Sequence, residues 1–271
     1  MVDWWTFDET SGTTAQDIMG AFNNVGTHFN GPTSVSGIVD GALSFDGVND
    51  YVEVADHPEI NFGTCILDVA EPMTIDLWVK TNSPATQQGP NSGLMTILDK
   101  RVTPNQPNGY SLFVYQGRLG FQMNGVNYIA PNTGSNYINI ADNQWHFIAV
   151  SLPMCRGFGS GFLYVDGQNV LGLPRGPGFL NAAKLNIGRR DPAFVPPNYF
   201  KGVLDELEIF KSALSGNDLH AIFAAGSRGK CKIDCSGNPS PCRMLPGRST
   251  PVFDGDTAAG NPLCLPVVNS K

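Results

Sequence analysis

The sequence predicts an all-β protein closed by one short helix. Three observations carry this. Short runs rich in β-branched and aromatic residues recur along the 271 residues, each bounded by turn-forming residues. Gly (31) and Pro (20) are abundant while charged residues reach only 15%, a composition of many short strands and tight turns. Apolar residues at helical spacing stand out in one place only, between Ser215 and Gly226.

The elements follow in order. Val2–Phe7 is a strand in which one of Trp4 and Trp5 is expected in the core and the other over an edge. Asp8–Gly12 turns the chain into a Gly- and Asn-rich loop reaching Gly41. Ala42–Phe45 and Tyr51–Val54 flank Asp46-Gly47-Val48-Asn49-Asp50, a hairpin turn because Asn, Asp and Gly tolerate positive φ. After a polar loop, 56–72, come strands Met73–Lys80 and Leu94–Lys100, separated by the exposed loop 82–92. The loop 102–109 leads to a meander of Tyr110–Tyr115, Arg118–Met123 and Gly125–Ala130. Trp145–Leu152 and Phe162–Asp166 are strands, the second closed by Asp166-Gly167 into Asn169–Leu171. Lys184–Gly188 precedes a Pro-rich loop, 190–198. The strand from Gly202 carries Asp205, Glu206 and Glu208 up to Phe210. Ser215 then caps a helix near 216–224, with Asp218 in its first turn, Leu219, Ile222 and Phe223 on one side, and Gly226 at its end. From Lys230 to Lys271 the composition shifts to six Pro and four Cys, so residues 230–271 read as a disulfide-stapled tail outside a first domain spanning 1–229.

Five segments, in order, resemble the laminin G-like, concanavalin A-like domains: GALSFDGVNDYVEV from Gly41, PMTIDLWVK from Pro72, NQWHFIAV from Asn143, LYVDG from Leu163, and GVLDELEIF from Gly202 with its Ala-Leu-Ser and closing Gly; FDETSG from Phe7 also fits the family's first strand. The resemblance implies a two-sheet antiparallel jelly-roll sandwich with one short C-terminal helix and a Cys-rich tail. It implies a structural Ca²⁺ as cofactor, with Asp205, Asp46, the Gly47 carbonyl and Asp8 as donors. Calcium takes six to eight oxygens from such groups, though the same acids also serve as turn caps. A second calcium of the pentraxin kind would need acids at Gly188–Asp191, where Arg189 and Arg190 stand.

Several function classes are excluded or weakened. The net charge of −7 and the lack of a Lys/Arg cluster argue against nucleic acid or anionic membrane as partner, and no apolar run approaches the ~20 residues of a bilayer span, so no membrane insertion is expected. No G-x-S-x-G elbow, H-E-x-x-H pair or phosphate loop occurs. Jelly-roll glycoside hydrolases or polysaccharide lyases are the enzymatic alternative. They need two carboxyls about 5–10 Å apart, and Glu206 with Glu208 is the one close Glu pair on a strand, expected on one face. The laminarinase-like E-x-D-x-x-E is missing.

The favoured reading is a non-catalytic module that binds a glycan, with an extracellular protein as the alternative partner; membership of a longer multidomain protein stays open. Sugar sites pair aromatic faces with hydrogen-bonding groups, which points to Tyr110, Tyr115, Asn124 and Tyr128 on the meander and to Arg190 and Asp191 in the 190–198 loop.

Cys65, Cys155, Cys231, Cys235, Cys242 and Cys264 make an even set, expected as disulfides in a secreted protein whose leader is not part of this chain. Zinc competes for the last four, but their spacing lacks C-x2-C knuckles. Similarity to the pentraxin strand pair sets Asp76 beside Ile148 and Cys155 near position 69, which implies a Cys65–Cys155 bridge. Non-reducing peptide mapping should then yield a Cys65–Cys155 peptide. A peptide tying either one to the 231–264 group would overturn that pairing.

Overall fold

The computed structural model describes residues 1–19, 24–62, 72–83, 93–102, 108–123, 125–153, 160–174 and 180–228. Cys65, Cys155, the four tail cysteines and Asn124 lie outside them. The described residues form two antiparallel eight-stranded sheets. The first contains β1 (Asp3–Trp5), β4 (Thr33–Ser36), β5 (Gly41–Asp46), β7 (Met73–Lys80), β12 (Trp145–Leu152), β13 (Gly161–Val165), β14 (Gln168–Leu173) and β16 (Lys201–Phe210). The second contains β2 (Thr14–Ala15), β3 (Gly26–Phe29), β6 (Tyr51–Val54), β8 (Leu94–Arg101), β9 (Gly109–Tyr115), β10 (Arg118–Met123), β11 (Val126–Ile129) and β15 (Leu185–Ile187). Their orders are β14-β13-β12-β7-β16-β5-β4, with β1 also on β16, and β11-β10-β9-β8-β15-β6-β3-β2.

Alternation along each strand builds the core between the sheets. Ile75, Leu77 and Val79 of β7 meet Leu98, Leu112 and Phe121 of the second sheet in one continuous cluster. The outer face of the first sheet is also apolar. Trp78, Phe147, Ala149 and Tyr164 pack under Leu219 and Ile222 of the one helix, α1 (Gly216–Ala225). The helix starts on a capping box: Ser215 Oγ accepts from Asp218 N, and Asp218 Oδ2 accepts from Ser215 N at 2.9 Å.

The structure refines several expectations. Trp4 and Trp5 are both buried, on opposite faces of the sheet: Trp5 is in the inter-sheet core, and Trp4 donates Nε1 to Glu206 Oε2 at 2.9 Å. The region before Gly41 is not one loop, because the short β2, β3 and β4 cross it. Asp76 pairs with Ala149 rather than Ile148, a one-residue slip from the pentraxin-like register. In β16 a bulge breaks strict alternation. Asp205 pairs with Trp78 and Glu208 with Asp76, and Glu206 between them takes φ 53°. The extra residue lets Leu204 and Leu207 both point into the core while Asp205 and Glu208 share the outer face.

Because α1 is held by its cap and one apolar face, Ser215→Ala should cost about 1 kcal/mol and Ile222→Ala about 2–5 kcal/mol, measured by chemical denaturation. Equal, negligible losses would mean that the helix does not stabilise the sheet beneath it.

Candidate functional site

The two sheets differ on their outer faces. The first is covered by α1, whereas the second carries a polar network. In β8 the core takes Met95, Ile97 and Leu98, with a bulge between Thr96 and Leu98, which leaves Thr96, Asp99 and Arg101 facing outward. In β10, Leu119, Phe121 and Met123 face in, so Arg118 and Gln122 face out. Asn186 faces outward between Leu185 and Ile187, and Tyr51 and Glu53 do so around Val52. Gly120 is needed here, because a Cβ would lie 2.2 Å from the Phe113 ring across the strand pair.

Arg101 ties this floor together. Its Nε donates to Asp99 Oδ1 at 2.7 Å, Nη2 donates to Asp99 Oδ2, and Nη1 donates to Gln122 Oε1. Gln122 Nε2 passes the chain on to Asn127 Oδ1 at 2.5 Å. Burial pushes the Asp99 carboxyl up, against the pull of Arg101. A second set lies beside it. Arg189 donates to Asn186 Oδ1 at 2.7 Å and Glu53 Oε2 at 3.1 Å, and lies 3.5 Å over the Tyr51 ring, which stacks on Phe29 at 4.6 Å.

The 190–198 loop is fastened over this floor. Asn198 Oδ1 accepts from Thr96 N at 2.7 Å, its Nδ2 donates to Leu94 O, and Asp191 N donates to Asp99 Oδ2 at 3.3 Å. Phe194 sits under the guanidiniums of Arg101, at 4.2 Å, and Arg190, at 5.8 Å.

The expected ligand residues divide. Arg190 and Asp191 stand in this loop. Tyr115 is half-buried at the end of β9, with Arg118 5.4 Å from its ring. Tyr110 is fully buried and donates its hydroxyl to Ile60 O at 3.1 Å, and Tyr128 packs on the core, so both are structural rather than surface contacts. Alternation within the meander puts them inward, on the side opposite Gln122 and Asn127. The residues missed were Asp99, Arg101, Gln122, Asn186 and Glu53. A signal was present for Gln122, which alternates with Phe121 and Met123 in RLGFQM.

The calcium donors also divide. Asp205 and Asp8 meet at the turn Gly37–Gly41, where Asp205 Oδ2 accepts from Ile38 N (2.8 Å) and Val39 N (3.1 Å) and Asp8 Oδ1 accepts from Gly41 N (2.8 Å). Asp46 lies at the other end of β5, paired with Lys201, and closes its own turn by accepting from Val48 N and Asn49 N, with Gly47 at φ 79°. Among the described residues no group of three or more His, Cys, Asp or Glu could hold a metal ion. Asp46 and Gly47 thus stand apart from Asp205 and Asp8, at the opposite end of β5. Glu206 and Glu208 are buried with Asp76 on the outer face of the first sheet.

Residues 46–220 match the Laminin_G_3 model of the concanavalin A-like lectin/glucanases superfamily, and the chain belongs to that superfamily. Solved structures of low identity share its fold. The binding domain of Paraclostridial Mosquitocidal Protein 1 is similar over 82% of this chain and 51% of its own, at 18% identity and TM-score 0.60. Domain 4 of AbnA, a GH43 extracellular arabinanase from Geobacillus stearothermophilus solved with arabinotriose, matches 81% of this chain and 96% of its own, at 18% identity and TM-score 0.55. The ligand-binding domain of botulinum neurotoxin serotype D solved with N-acetylneuraminic acid matches 82% and 50%, at 14% identity and TM-score 0.55. The chain thus spans about half the length of the toxin domains and nearly all of the arabinanase domain. No curated protein sequence matches it.

Burial, with the charges of Glu206 and Asp8 adding, pushes Asp205 up to about 8 from 3.8. The folded chain holds this proton where the unfolded chain releases it. Its stabilising contribution is full below the unfolded value and is lost as pH rises through the folded one. Asp205→Asn keeps an acceptor for Ile38 and Val39 but cannot ionise. The variant should therefore gain thermal stability relative to wild type as pH is raised from about 5 to about 9. A melting-temperature difference that stays constant over this range would contradict the buried titration.

Proposed function

We propose that the outer face of the second sheet, with the 190–198 loop above it, is a non-catalytic saccharide-binding site. The observation that carries this is a row of accessible groups, Gln122, Asn127, Glu53 and Arg189, next to stacked Phe29 and Tyr51 and braced from beneath by the buried Asp99, Arg101 and Asn186. A surface whose polar groups are already held in place loses little freedom when it binds a hydroxylated ligand. The AbnA domain, similar over nearly its whole length and solved with arabinotriose, supports the same reading.

Catalysis is less well supported. On this face Asp99 is clamped by Arg101 and Glu53 by Arg189, so neither stands ready as a proton donor or nucleophile. The six cysteines support an extracellular setting. A protein partner is the second reading, favoured by Val195, which is 82% exposed at the loop tip.

A glycan array should show saccharide binding by the wild type. Gln122→Ala, which removes an amide between Arg101 and Asn127, should weaken it about tenfold with little change in melting temperature. Val195→Asp should leave saccharide binding intact. No glycan bound, or binding indifferent to Gln122→Ala, would remove this face as the site.

A further inference from the structure

Four arginines reach the outer face of the second sheet; Arg118, at the start of β10, bonds Ala130 O and lies against Tyr115, and two others are held by carboxylates. Arg101 spends Nε and Nη2 on Asp99 and Nη1 on Gln122. Arg189 spends its fork on Asn186 and Glu53 and lies on Tyr51. Arg190 differs. Its guanidinium makes one long bond, Nη1 to Pro196 O at 3.4 Å, and flanks the Phe194 ring that Arg101 also covers. Its neighbour Asp191 is turned away from it: Asp191 Oδ1 accepts from Ala193 N at 2.8 Å, and its own N–H goes to Asp99. Among the described residues Arg190 enters no ion pair, although it is half-buried. Burial, and then the Arg101 charge, hold its pKa below that of a free guanidinium. A half-buried cation next to another cation, with a planar fork of donors unspent, suits a planar oxyanion.

We infer that Arg190 receives a carboxylate carried by the bound saccharide, so that this face prefers acid-bearing sugars to neutral ones. This rests on reading the face as a saccharide site. The chain's net charge of −7 repels polyanions in general, so such a preference has to come from a local contact.

The test uses the whole chain with polygalacturonate and alginate, each beside its carboxyl-reduced, neutral product, at two salt concentrations. Wild type should bind at least one acidic polymer about tenfold or more tighter than its reduced form. Arg190→Gln should erase that preference, bringing each acidic polymer to the affinity of its reduced form, while Arg190→Lys, which keeps the charge but not the fork, should retain part of it. Equal affinity for acidic and reduced polymers, still weakened by Gln122→Ala, would overturn the inference and leave the saccharide site standing. Equally tight binding of dextran sulfate, unaffected by Arg190→Gln, would reveal generic polyanion attraction and overturn it as well. Binding of none of these polymers would overturn the inference, and a blank glycan array beside it would remove the saccharide site as well.

Discussion

Strand β16 has to serve two apolar layers at once. It lies between β7 and β5, carries β1 on the same sheet, and contributes Leu204, Leu207 and Ile209 to the inter-sheet core. Its other face contributes to the buried ground below α1. A regular strand with acids at 205, 206 and 208 would send one of them into the hydrocarbon core. The bulge at Glu206 avoids this, since one residue in the left-handed region resets the alternation. The left-handed conformation costs about a kcal/mol or more. Burying an ionised carboxylate in the core would cost more than that. Trp4 from β1 then donates to Glu206, so the first strand of the chain is fixed by the same irregularity.

Once β16 is set, the two outer faces have different fates. The first sheet's outer face is apolar enough at Trp78, Phe147 and Tyr164 to require a cover, and α1 provides it. The second sheet has no such helix among the described residues, and its outer side chains satisfy one another instead. The asymmetry between sheets frames the candidate site: among the described residues the outer face of the second sheet is the one left without a covering helix.

Much of the fold was legible because turn residues and the spacing of apolar residues fix strands independently of tertiary context. The meander, the Asp166-Gly167 hairpin and the capped helix were all found this way. The short β3 and β4 escaped because Gly-Thr-His-Phe and Thr-Ser-Val-Ser carry little burial signal, and the residues of β4 are all exposed. The site was less legible. Aromatic residues drew attention to Tyr110 and Tyr128, yet each lies on the parity of its strand that faces the core. The functional candidates lay on the opposite parity, as Gln122 and Asn127. Arg190 was visible by its place in a Pro-rich loop, but the Arg101–Asp99 clamp beneath it depends on a bulge in β8 that local sequence does not announce.

The anchoring of the 190–198 loop has an evolutionary side. Asn198, Thr96 and Asp99 hold it by backbone-directed bonds, while Pro192, Ala193, Val195 and Pro197 at its tip are exposed. Mutational drift at those tip positions is therefore uncoupled from folding. One scaffold can diversify its selectivity there, residue by residue, while the sandwich beneath stays constant, so duplicated copies of such a module could diverge in specificity faster than in architecture.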